Sequence, residues 1–97
     1  MNKILELKNI DEILTVVKAL NSKNSLMMLK KAVNEYLDLI NLASKIKKPD
    51  KLLHHFARKL EKAGLIESKY IPGIRGVRKA IKAKYSKIII NLEELEE

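Results

Sequence analysis

The chain has 97 residues, 46% hydrophobic but only 4% aromatic, enough for one small domain cored by Leu, Ile, Val and Ala and too little for two. It contains no cysteine, which excludes disulfides, thiolate metal sites and a cysteine nucleophile; the longest apolar run, Leu26-Met27-Met28-Leu29, is far short of the roughly 18 residues of a membrane span, and with no leader a cytoplasmic protein without a membrane partner is expected. The net charge of +8 is uneven: residues 1–48 carry 9 basic and 5 acidic side chains, 49–87 carry 11 and 3, and 88–97 carry none and 4, so the basic block points to a polyanion.

Residues 1–8 alternate loosely, with Ile4, Leu5 and Leu7 against Lys3, Glu6 and Lys8, and are read as a short strand or an irregular arm. Asn9 followed by Glu12 forms a capping-box pattern, and Ile10, Ile13, Val17 and Leu20 predict a helix over about 10–20. Leu14 and Val16 widen its stripe and leave one flank for a second subunit. Ser22 caps a second helix whose buried line is Leu26, Leu29 and Val33, with Lys30 and Lys31 outward; Met27 and Met28 cannot both join that line. Asn34 to Leu37 breaks the pattern. Asp38 caps a third helix with Leu39, Leu42, Ala43 and Ile46 inward, ended by Lys47-Lys48-Pro49. Proline suits the first turn of a fourth helix over about 49–63, with Leu52, Phe56, Leu60 and Ala63 inward and Gly64 as a left-handed stop. Two short helices joined by a tight basic turn make a helix-turn-helix. Leu65 to Ile71 then reads as a strand, and Val77, Ile81, Ala83 and Tyr85 as the inward positions of its return, joined through Pro72-Gly73-Ile74-Arg75-Gly76. Ile88-Ile89-Ile90 predicts a further strand, placed beside residues 3–7, and Glu93 to Glu97 a fraying acidic tail.

On a helical wheel Lys51, His54 and Arg58 fall within about 60° of one another, opposite the Leu52, Phe56 and Leu60 seam, which predicts a face for the major groove of DNA. Arg75, at a loop tip between two glycines, suits a minor groove or a phosphate, flanked by Lys69, Arg78 and Lys79. Lys23, Lys47 and Lys48 are candidate phosphate contacts. His54 and His55 do not read as a metal site, because helical neighbours diverge by about 100° and no Cys or third His completes the ligand set; His55 is placed nearer the buried flank. Neither a phosphate-binding Gly-rich loop nor a nucleophile elbow is present, Asp50 and Glu61 are assigned to a helix N-terminus and surface pairing, and no enzyme activity, cofactor or small-molecule ligand is expected.

The run Leu42-Ala43-Ser44-Lys45-Ile46, followed by Leu52 through Ile66, resembles ArsR-like winged-helix transcriptional regulators. Lys18 to Lys23 is similar to the join between the first two helices of that group, and Tyr70 to Gly76 to the wing of small archaeal members. The likeness spans residues 10–90 or so and implies an α+β winged helix-turn-helix, about four helices followed by a β-hairpin wing and a C-terminal strand. It further implies a sequence-specific regulator, commonly a homodimer on two-fold-related double-stranded DNA, with Lys51, Leu53 and His54 approaching bases and Arg75 at the wing tip. Leu53 stands where that group has a small polar residue, and the metal-sensing cysteines of some members are absent. Abundant Lys, Ile and Glu are compatible with a heat-adapted, archaeal or archaeal-virus source. A non-specific architectural DNA-binding protein and a protein-interaction module without DNA binding are the alternatives.

Overall fold

The computed structural model describes residues 3–97, so Met1 and Asn2 of the expected arm lie outside the described residues. Strand β1 (Ile4–Leu7) leads into helices α1 (Ile10–Leu20) and α2 (Lys23–Ala32), a two-residue strand β2 (Leu37–Asp38), and helices α3 (Leu39–Ile46) and α4 (Asp50–Lys62). Strands β3 (Ile66–Gly73), β4 (Gly76–Ala83) and β5 (Lys87–Ile90) follow.

The helix starts fall where local capping chemistry puts them. Asn9 Oδ1 accepts the Glu12 N–H at 3.1 Å, Ser22 Oγ the Asn24 N–H at 3.1 Å, and Asp38 Oδ1 the N–H groups of Ile40 and Asn41 at 3.0 and 3.3 Å. α4 ends in a Schellman motif, with Gly64 N–H donating to the Glu61 carbonyl at 2.9 Å and Leu65 N–H to Leu60 at 3.0 Å while Gly64 takes φ +76°.

The buried faces of the first two helices differ from the sequence expectation. α1 buries Val16 and Ala19 and leaves Val17 exposed; α2 buries Ser25, Met28 and Ala32 and leaves Leu26 exposed. Ala19, Ala32 and Ala57 are all buried, one in each of the mutually packed helices α1, α2 and α4. Small residues let helices pack closely, and here they lie on the same buried faces as the large Met28, Leu53 and Leu60. Met28, Leu39, Leu53, Leu60, Leu65 and Ile81 complete the inaccessible core.

β3 and β4 form an antiparallel hairpin, and β2 joins the other edge of β4 through Leu37↔Ile81 and Asp38↔Ala80, giving the order β2-β4-β3. β1 and β5 pair in parallel from Ile4↔Lys87 to Leu7↔Ile90, as expected for the terminal segments. The acidic tail is hydrogen-bonded back onto the domain. Glu96 N–H donates to the Lys8 carbonyl, Glu94 pairs with Lys8 Nζ at 2.9 Å, and Glu94 N–H reaches Asn91 Oδ1 at 3.1 Å, so the tail turns after β5 and is held against Lys8 and Asn9, just beyond the end of β1. The hydrogen bond and charge of Glu94 hold the Lys8 ammonium above its usual pKa.

Candidate nucleic-acid interface

α3 and α4 are joined by Lys47-Lys48-Pro49, and Lys47 makes the turn by adopting the left-handed conformation, φ 57° and ψ 47°. Its N–H and that of Lys48 both donate to the Ala43 carbonyl, which closes α3 without a glycine. Pro49 then takes the N-cap position, with its carbonyl accepting the Leu52 N–H at 3.1 Å. Lys47, Lys48 and Lys23, the first residue of α2, are exposed.

The buried line of α4 is Leu53, Ala57 and Leu60, with Leu52 and Phe56 on its margin rather than at its centre. Leu53 has no accessible surface, so its expected approach to bases is corrected: it is a core residue that holds α4 on the domain. Rotation of the seam also moves the outward face. Lys51, His55 and Arg58 are exposed and lie within about 60° on the wheel, with Lys59 and Lys62 extending the face toward the C-terminus. His54 is half-buried on the flank, its Nδ1 2.9 Å from the Asp50 carbonyl; a carbonyl only accepts, so Nδ1 donates. His55, expected near the buried side, is the exposed histidine, with its ring edge-on to Phe56 at 5.4 Å. The sequence signal for this rotation was Ala57, an apolar residue that lies off the Leu52, Phe56 and Leu60 seam and is fully buried.

In the hairpin, Gly73 pairs with Gly76 across Ile74-Arg75, and only Gly76 of the two takes positive φ, +103°, closing a turn that leaves both central residues exposed. Arg75 is exposed at the tip. The other wing cations have partners within the chain. Lys79 is only 8% exposed and pairs with Glu61 in the last turn of α4, so it is withdrawn as a DNA contact. Burial raises the Glu61 pKa, but hydrogen bonds from Lys79 and Ser68 and the Lys79 charge outweigh it and hold the carboxyl below its ordinary value. Arg78 Nε lies 3.1 Å from Asp38 Oδ2, an ion pair whose N–H is not aligned as a hydrogen bond. Its stem crosses Gly73, where a Cβ would meet Arg78 Cγ and Cδ at 2.8 Å. Lys69 Nζ sits 4.0 Å above the Tyr36 ring, with Lys82 5.7 Å away. Burial and the hydrogen bond from its hydroxyl to Glu67 raise the Tyr36 pKa. The wing is thus fastened on one face to α4 through Glu61 and on the other to the start of α3 through Asp38.

Four helices carrying a tight α3-turn-α4 pair and a following β-hairpin match known structures. A possible transcriptional regulatory protein fragment from Mycobacterium bovis superposes with a TM-score of 0.63 at 19% identity, over 76% of this chain and 75% of that one. The fold is a winged helix-turn-helix. A solution structure from the same organism, described as a homodimeric winged helix-turn-helix DNA-binding domain of a possible ArsR-family regulator, gives 0.63 and 19% over 76% and 65% of the two chains. Reduced HlyU from Vibrio cholerae gives 0.64 at 14% identity over 78% and 76%. No family profile matches the sequence, and no curated protein does. Among the described residues of this winged helix, no group of three or more His, Cys, Asp or Glu is placed to hold a metal ion, and no helix is long and apolar enough to cross a membrane.

Proposed function

We propose that this protein is a sequence-specific double-stranded DNA-binding transcriptional regulator, with α4 in the major groove and the β3–β4 wing on the minor groove or backbone. The observation that carries the reading is the pairing of an exposed helix face, the cations Lys51 and Arg58 with His55 between them, with an exposed Arg75 at the tip of a wing fastened to that same helix. Arginine and lysine pair with guanine edges and neutralise phosphates, while histidine bonds to either. His54 takes a flanking position, with Lys23, Lys47 and Lys48 as candidate phosphate contacts. A single small module buries only about 600–1,000 Å² on DNA, which favours a homodimer. The exposed Leu14 and Val17 of α1, together with the terminal strands, are its candidate interface. The described homodimeric state of the M. bovis domain supports this arrangement.

Selection from random duplexes at physiological salt tests the function. Enrichment of an inverted repeat supports a dimeric specific regulator; uniform binding replaces it with an architectural protein, and no binding with a protein-interaction module. Scattering mass with Leu14→Glu tests the interface: a monomer in the variant and a dimer in the native protein are expected.

A further inference from the structure

The two faces of the wing differ in a way that cations alone do not explain. Alternation along the paired strands places Ser68, Tyr70 and Pro72 with their partners Ile81, Lys79 and Val77 on one face. Near the body this face is closed: Ile81 is core, and Ser68 and Lys79 both bind Glu61 of α4. Beyond that point it projects past the helices as an uncovered apolar blade. Tyr70 is 66% exposed, Val77 70% and Ile74, at the tip, 100%, with Pro72 exposed between them. Single exposed apolar residues are ordinary, but four on one projecting element form a patch.

The frame around the patch selects its occupant. No acidic residue occurs between Glu67 and Glu93, and Arg75 stands beside Ile74 at the tip. A second copy of this chain, itself strongly basic, would bring like charges together there. A DNA minor groove instead offers apolar sugar walls beneath flanking phosphates.

Resting on the regulator reading, we propose that Ile74 enters the minor groove as an apolar wedge at a base step, with Tyr70 and Val77 against the sugars and Arg75 on the groove floor or a phosphate. Wedges of this kind partly unstack a step and bend the duplex, and flexible pyrimidine–purine steps yield most readily. Ile74 would then set sequence preference through the deformability of the step, without a hydrogen bond of its own to a base.

The test compares native protein with Ile74→Ala and Arg75→Ala on selected duplexes carrying a TA or an AA step under the wing, measuring affinity across salt concentrations and bending by end-to-end fluorescence transfer. Ile74 contacts no core, so the variant folds. Ile74→Ala is expected to lose about five- to tenfold in affinity on the TA duplex, with its salt slope unchanged, its bend reduced and the TA preference gone. Arg75→Ala is expected to lower the salt slope by about one. Native binding with Ile74→Ala unchanged in affinity and bend overturns the wedge alone, as does a change in its oligomeric mass in place of its DNA binding. Absence of binding by the native protein overturns the regulator reading and the wedge together.

Discussion

Lys79 on β4 and Glu61 in the last turn of α4, 18 residues apart, form a mostly buried ion pair in which Ser68 Oγ donates to the second carboxylate oxygen at 2.9 Å. The pair couples the wing to the helix it accompanies. Glu61→Gln leaves the Lys79 ammonium buried without its counter-charge and is expected to cost about 2 kcal/mol, lowering Tm by about 10 °C. Because the folded carboxyl titrates below its ordinary value of about 4.3, its stabilisation is complete above that pH and is lost as pH falls through the folded pKa. Thermal unfolding at pH 7 and pH 3 should therefore show the native and variant proteins converging in acid. An equal gap at both pH values would remove the ion pair as its source.

Leu53→Ala is expected to destabilise the domain by about 3 kcal/mol in urea unfolding, because Leu53 has no accessible surface and its truncation leaves a cavity beneath α4. Base preference at the selected site should be unchanged. Altered preference at full stability would restore Leu53 to the DNA face.

Lys47 occupies a conformation that costs a β-carbon-bearing residue about 1–2 kcal/mol; glycine escapes that cost, but its greater chain entropy when unfolded takes back part of the gain. Lys47→Gly should therefore raise stability by about 0.5–1 kcal/mol while lowering the salt slope of DNA binding by about one. A gain in stability with an unchanged slope would mean that Lys47 touches only solvent.

The exposed histidine is His55, whereas His54 is held against the Asp50 carbonyl. His55→Ala should weaken specific binding by roughly 1 kcal/mol, about fivefold, and more than His54→Ala does, read by titration on the selected duplex. The reverse order would return the centre of the contact to the flank of α4.

Much of this protein is decided within a few residues along the chain, and that part was legible. Asn9, Ser22 and Asp38 cap helices through atoms two or three positions away, Gly64 stops α4 by its own φ, and Gly76 closes the wing turn. Such effects need no knowledge of the rest of the fold, so the four helices, the hairpin that follows them and the position of Arg75 at its tip followed from the residues alone. Tertiary structure decided which helix faces are buried. Leu52, Leu53, Phe56 and Ala57 make α4 apolar over a broad arc, and only the surfaces of α1, α2 and α3 select Leu53 and Ala57 as its centre. It also decided the partners of charged groups: Lys79 looks like any wing cation until the hairpin folds over Glu61, and Arg78 until its stem crosses Gly73 toward Asp38. The two residues of β2 and the tethered acidic tail belong to the same class, because each exists only through pairing with a distant strand or arm. Local conformation is set by short-range sterics and hydrogen bonds, whereas burial and ion pairing depend on which distant surfaces the packed core brings together.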